Sequence, residues 1–383
     1  MSLGYQSPIL QSLGVFEASG PDAGVAAHYG EPLKEQRRLV WGDQKFVVAD
    51  YSHWGIVTVA GPDRHSWMTT LSSQVVDPMQ AGDSAELTLL SPQGRIEYVP
   101  LVVEDGEKLW LIVESDQAEP LTEYLQRMKF MLRVEITNVS DQFATVVSTA
   151  DPRTAENAPA ELKEAVVWQD PWPNIAPGGT SYSAVPDAEH PGYDFQRFVS
   201  IISRENLLKI APAVSWAGIW AAEALRIEAW RPRFANEVDA KSIPHELDLM
   251  RTAVHLSKGC YKGQETVARV HNLGHPPRRL VFLDLDGSEH TMPAVGANVL
   301  NGTKKVGYVT SVAQHWEAGP IALALVKRNV DPQAQLTVVE EPQDSEESST
   351  ATPAQYSALQ TVIVSPEAGQ AAGRRHMGDF LRR

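Results

Sequence analysis

The chain is 383 residues long, 43% hydrophobic and 21% charged, and its 48 acidic against 33 basic residues give a formal net charge of −15. That length bounds two or three domains, and the composition is that of a folded globular protein, not of a disordered or fibrous one. The acid excess excludes the broad basic surface that carries nucleic-acid binding, while leaving room for a small anion in a locally positive pocket.

A single cysteine excludes an internal disulfide framework and any zinc or iron–sulfur site built from several thiolates of one chain, and it suits a reducing compartment. The most apolar runs, such as residues 321–326, fall far short of the ~20 residues of a membrane span. Residues 1–16 lack the basic and apolar regions of a secretory signal. The expectation is a cytoplasmic protein with no membrane and no nucleic-acid partner.

In chain order, residues 1–35 mix Gly, Ser and Pro with scattered apolar side chains and read as an irregular lead-in. Residues 46–49 and 55–60 read as short strands rich in β-branched residues. Pro62 opens a helical pattern with Trp67, Met68 and Leu71 on one face. Strand-like runs at 85–90 and 95–103 flank Ser91-Pro92-Gln93-Gly94, the chemistry of a type I turn, which predicts a hairpin. A third strand at 108–113 follows Asp105-Gly106, then a helix in which Leu121, Leu125 and Met128 repeat, then a strand at 133–139. Residues 151–191, rich in Pro, Gly and acids, read as irregular connection. Residues 215–230 predict a helix with Trp216, Ile219, Trp220, Glu223 and Ile227 near one face. From Arg279 short strands at 280–285, 298–300, 306–312 and 321–326 suggest a small barrel or sandwich. The acidic tail, residues 339–383, is expected to be disordered. Mixed elements of these lengths give an α+β fold.

Chemistry concentrates at Lys258-Gly259-Cys260-Tyr261-Lys262-Gly263-Gln264-Glu265, where the lone cysteine sits between two lysines and two glycines before a helical run. A helix N-terminus and nearby ammonium groups both favour a thiolate. A buried, inert cysteine is the other reading, since free Cys is among the most buried residue types. His255, His271 and His275 flank the loop without the spacing of a zinc helix, because Gly274, Pro276 and Pro277 interrupt it; no metal site is expected.

The octapeptide resembles the signature of the YgfZ family of folate-binding proteins, relatives of the glycine-cleavage T-protein aminomethyltransferases and of mitochondrial iron–sulfur assembly factors. The resemblance extends over residues 45–330. It includes Gly61-Pro62-Asp63-Arg64 with Leu71-Ser72-Ser73-Gln74-Val75, Leu225-Arg226-Ile227-Glu228-Ala229, Pro244-His245-Glu246-Leu247 and Val306-Gly307-Tyr308-Val309-Thr310-Ser311. It implies an α+β, T-protein-like folate-binding core of two related halves at 36–275, connected through 151–191, with a C-terminal β-barrel at 276–338. It also implies tetrahydrofolate or a one-carbon derivative as cofactor and apo iron–sulfur client enzymes as partners.

On this resemblance Glu228 is the candidate to accept two pterin N–H donors, and Arg226 to hold Glu228 or meet the folate glutamate; unaided, Glu228 reads as solvated and Arg226 as a surface partner of Glu223. Gly259 and Gly263 would permit a tight turn and close backbone approach. Tyr261 would stack on the ligand or simply pack. Gln264 and Glu265 would face the cavity or serve the helix start. Lys258 and Lys262 would lower the Cys260 pKa or meet folate carboxylates, and Cys260 itself would handle sulfur, a one-carbon adduct or a mixed disulfide.

The departures matter. The aminomethyltransferases carry an aspartate pair in the hairpin after the Gly turn, where this chain has Tyr98 and Val99, and they lack the Cys octapeptide. The resemblance therefore implies an accessory protein. One-carbon transfer and a ligand-free adaptor are the alternatives.

Overall fold

A computed structural model describes residues 4–11, 14–288, 291–340 and 354–371. Two five-stranded sheets and a six-stranded barrel make up most of it. The first sheet runs Glu135–Asn138, Gly55–Ala60, Lys108–Val113, Leu101–Glu104, Ser84–Glu86, every neighbour antiparallel. The second runs Val166–Gln169, Phe198–Ser203, Phe143–Ser148, Phe46–Asp50, Val214–Ala217, antiparallel except for its last pair. The central strands Phe46–Asp50 and Gly55–Ala60 are buried almost throughout, which is why they read as continuous apolar runs without alternation.

The two sheets are not successive halves of the sequence. Phe46–Asp50 belongs to the second sheet and Gly55–Ala60, five residues on, to the first. Tyr51, Ser52, His53 and Trp54 make the crossing and are all buried. One apolar core follows, joining Trp54 of the crossing and Ile56 and Ile112 of the first sheet to Val47, Val199 and Ile201 of the second. The stretch at 151–191 is less irregular than its composition suggests: Val166–Gln169 pairs with Phe198–Ser203 as an edge strand.

Helices cover the sheets. Ala118–Met128 buries Leu121 and Leu125 as its spacing predicts, but leaves Met128 exposed at its end. Arg204–Ile210 starts at Ser203, whose hydroxyl accepts the Asn206 N–H at 3.2 Å, a capping bond of the ordinary kind. The predicted helix at 215–230 is shorter. Val214–Ala217 is a strand, and the helix proper is Ile219–Glu228, with Trp220 exposed instead of on the buried face. The β-branched and aromatic text Val214-Ser215-Trp216 favours strand, and Gly218 separates the two elements. The predicted hairpin turn is present, with Gly94 donating its N–H to Ser91 O at 2.9 Å. Its strands divide into two short ladders, Leu89–Leu90 with Ile96–Tyr98 and Ser84–Glu86 with Leu101–Glu104. Pro100, which has no N–H to offer a ladder, sits at the break.

Two expectations fail at the ends. The lead-in contains a small ladder, Phe16–Glu17 with Ala26–His28, and the helix Pro32–Trp41 begins within it. The tail contributes Gln355–Val362, which pairs with Leu336–Val339 and Arg278–Leu285 and closes the barrel. Closure removes the free edges that an open sheet would expose, and Tyr356 and Ala358 enter the barrel core. The acidic run at 341–353 and the basic end at 372–383 lie outside the described residues.

Candidate functional site

The Cys260 loop is pinned on both sides. His255 donates its backbone N–H to Ser73 O and Leu256 to Gly178 O, each at 2.8 Å. Lys258 gives its ammonium to the carbonyls of Thr69 and Ser72 and stands 4.6 Å from the Tyr261 ring centroid. Burial pushes the Lys258 pKa down to about 8, with Asp77 and Cys260 acting the other way. Tyr261 packs on the core beneath, and burial pushes its phenol up to about 12. Gln264 closes the loop by donating its side-chain N–H to Lys258 O at 3.1 Å.

Gly263 is required by geometry. It has φ of 84° at the start of the helix Gln264–Leu273, and a Cβ there would lie 2.6 Å from Ser91 O and 3.0 Å from Gly94 Cα. The octapeptide thus rests on the hairpin turn by a backbone approach that only glycine permits. Gly259 is different: it is exposed, and a Cβ would meet nothing within 4 Å. No close approach depends on it.

Cys260 is exposed and unbridged. It lies ahead of the helix, outside the first turn, and Lys262 is held at 3.1 Å by Glu97. Each of the two lysines expected to serve the thiol or a folate carboxylate thus has a partner within the protein. Glu265 is exposed in the first helical turn, where a carboxylate complements the helix dipole. Lys262 also lines a groove of about 590 Å³ with Glu97, Asp116, Tyr124 and Arg127. Asp116 in turn borders a vestibule of about 1030 Å³ whose walls include Tyr5, His53, Trp54, Arg204 and Phe234.

Behind the vestibule the passage between the two sheets is nearly filled. Two voids of about 30 and 10 Å³ remain, the first bounded by Trp54, Glu86, Val99, Arg197 and Arg233, the second by Tyr51, Arg197, Leu225 and Arg226. The filling is charge. Arg233 meets Asp22 at 2.7 Å, Glu114 at 2.8 Å and Glu223 at 3.5 Å. Arg231 meets Glu86 at 2.7 Å and Asp170 at 3.0 Å; Arg226 meets Glu223 at 2.8 Å and Glu237 at 3.1 Å. Burial opposes the charge on each of these guanidiniums, and the facing carboxylates outweigh it, so all three pKa values rise. Burial likewise opposes ionisation of Asp22, but Arg233 and His53 hold its carboxyl well below the usual range.

Arg226 and Glu228 do not meet in this passage. Two helical positions turn a side chain by about 200°, so an Arg-x-Glu pair on a helix faces opposite ways. Arg226 is buried on the passage side. Glu228, half exposed at the helix end, stands 3.1 Å from His315 and lines an outer groove of about 570 Å³ with Trp41, Phe195 and Trp316. Arg226 and Glu223 are indeed partners, but in the interior, not as a surface pair.

No family model matches the chain. It is 23% identical over 290 residues to a putative chloroplastic transferase of Arabidopsis thaliana, a match covering 70% of this chain and 62% of that protein. It is 26% identical to a mitochondrial iron–sulfur cluster assembly factor homologue of Mycosarcoma maydis, covering 62% and 56%, and 22% identical to the tRNA-modifying protein YgfZ of Yersinia enterocolitica, covering 70% and 79%. The chain therefore spans less than two thirds of the first two proteins. Among solved structures, the glycine cleavage system aminomethyltransferase T of Bartonella henselae superposes with a TM-score of 0.67 at 15% identity, covering 93% and 94%.

The chain has the fold of that aminomethyltransferase, and its sequence is similar to YgfZ and to the assembly-factor homologue.

In this chain the hairpin positions read as lacking aspartates hold Tyr98, packed near Tyr124 with ring centroids 6.0 Å apart, and Val99, which faces the small interior void. Glu97 is taken by Lys262. Arg226 and Glu228 do not form one folate pocket in the passage: Arg226 is held by two carboxylates, Glu228 faces the outer groove, and the voids beside Arg226 and Arg233 are far below the roughly 300 Å³ of a small ligand pocket. The vestibule has the volume, aromatic walls and an unpartnered buried indole N–H on Trp54. Trp54, Arg231, Arg233 and Asp22 were not legible as site residues. The one local signal was Trp230-Arg231-Pro232-Arg233, charge placed directly after an apolar helix, with Trp230 turning the chain at φ of 56°.

Among the described residues no group of His, Cys, Asp and Glu could hold a metal ion, and no helix is long and apolar enough to cross a membrane.

Proposed function

We propose that this chain is an accessory protein that supports iron–sulfur enzymes, including those that modify tRNA, through the Cys260 thiol. The observation that carries the reading is an exposed thiol on a loop fixed by the Ser72 carbonyl and the Gly263–Ser91 approach. The relatives named for cluster assembly and tRNA modification support it. A thiol that must meet a second protein needs exposure, and a loop that presents it repeatedly in one orientation needs a rigid base. Aminomethyl transfer is not favoured, because the carboxylates inside the passage, Glu86, Glu114, Glu223 and Glu237, are each bound to an arginine.

The test is restoration of iron–sulfur enzyme activity in cells lacking the chain. The native chain should restore it and Cys260→Ala should not, although the variant accumulates as a folded protein. Equal restoration by both would remove the thiol from the function.

For tetrahydrofolate the vestibule is the proposed site, on its volume and with Phe234 as the half-buried aromatic wall; no step is routed through it. Anaerobic titration followed by tryptophan quenching should show saturable binding that Glu228→Ala leaves unchanged and Phe234→Ala weakens. Weakening by Glu228→Ala would return the ligand to the outer groove.

A further inference from the structure

The helix Ala118–Met128 ends in a segment that no internal contact explains. Met128 is 43% exposed, Phe130 86%, Met131 83% and Leu132 41%, a run of large apolar side chains in water where such residues are rarely clustered. Phe130 also has φ of 45°, the left-handed region that suits Gly or Asn at a helix end and strains an aromatic residue. Exposure of apolar surface and a left-handed aromatic residue both lower the stability of the free protein.

The segment Arg127-Met128-Lys129-Phe130-Met131-Leu132-Arg133 contains three cations and no acid, in a chain of net charge −15. Arg133 is matched by Asp63 at 2.7 Å, whereas Arg127 reaches Glu123 only at 4.0 Å and is largely exposed. Aromatic, Met and Arg side chains are the types enriched in protein interfaces. A bilayer is the other surface that takes basic-apolar tips, but an anionic membrane would repel the rest of so acidic a chain.

Position names the partner. Tyr124 and Arg127, at the root of the tip, line the same groove as Lys262, two residues from Cys260. We propose that this tip and groove dock the protein that meets Cys260, and that the docking face of that protein carries an apolar cleft rimmed by acidic residues. The inference rests on the function proposed above and adds where and by what chemistry the partner is held.

The experiment uses the full chain and, as probe, the purified apo form of the iron–sulfur enzyme whose activity falls most in cells lacking the chain. Phe130→Asn relieves the strained backbone while removing the aromatic ring. It should melt at the same or a higher temperature and bind the apo enzyme roughly tenfold more weakly. Opposite signs on the two readouts are what a merely structural phenylalanine would not give. Met131→Asn should weaken binding without a stability change, and Lys129→Glu should weaken it and flatten its salt dependence.

Binding within twofold of native by Phe130→Asn and Met131→Asn, with Cys260→Ala still inactive in cells, would overturn the docking tip and leave the function standing. Full activity of Cys260→Ala together with native-strength binding by the tip variants would overturn both. Tight binding of the native chain to phosphatidylserine vesicles, lost in Phe130→Asn, would replace the protein partner with a membrane and overturn the proposal.

Discussion

The passage between the sheets and the Cys260 face handle polar and apolar groups in opposite ways. In the passage, charges that would ordinarily stay in water are buried and matched, Arg231 and Arg233 against carboxylates drawn from distant parts of the chain and Arg226 against the nearby Glu223 and Glu237. On the Cys260 face, groups that would ordinarily be buried, a thiol and the Phe130–Met131 pair, stand in solvent. A buried ion pair adds little net stability over an apolar pair, yet losing one partner is costly. The passage is therefore a brittle part of the molecule, and the face is a tolerant one.

The contrast is broken most directly by Arg233→Met, which strands Asp22, Glu114 and Glu223 without their shared cation. Urea unfolding should show a loss of about 3–5 kcal/mol; a loss under about 1 kcal/mol would mean water enters the passage and the charges were never desolvated. Asp22→Asn is milder, at about 2–3 kcal/mol near neutral pH, because a hydrogen-bonding amide remains. Its pH signature is more telling. The folded pKa of Asp22 lies below its unfolded value near 3.8, so its contribution is complete above that value and is lost as pH falls toward the folded pKa. The native chain should lose stability through this acid window more steeply than the Asn variant; parallel curves would exclude Asp22 as an acid-sensitive latch.

Gly263→Ala sharpens the comparison at the boundary of the two regions. Positive φ and the approach to Ser91 O should cost about 1–3 kcal/mol, and thiol labelling should show a less uniform Cys260. An unchanged melting temperature would show that the loop is not seated on the hairpin turn. Smallest of all on stability is Cys260→Ala, expected within about 0.5 kcal/mol of native, since the side chain contacts solvent; a larger loss would place the thiol in the core and end its role as the thiol presented to a partner.

Much of the frame could be read without coordinates. The Ser91–Gly94 turn, the strand Lys108–Val113, the buried face of Ala118–Met128, the helix after Gly263 and the barrel strands around Gly307 all follow from local periodicity and turn chemistry. So does the prominence of the octapeptide, because a lone cysteine between glycines and lysines is a local feature. What local sequence leaves open is of a different kind. Gln355–Val362 lies after a long acidic run, and only its pairing with Leu336–Val339 and Arg278–Leu285 makes it a strand.

Glu228 stands out in the sequence for its place in a motif, and the helix turns it away from Arg226 toward His315. Asp22 and Arg233 are 211 positions apart and meet at 2.7 Å. Sequence by itself determined what each segment could become, since propensity, capping and alternation act over a few residues. The tertiary structure decided which charges are buried together and which apolar groups stay outside, because desolvation depends on what surrounds a group in space.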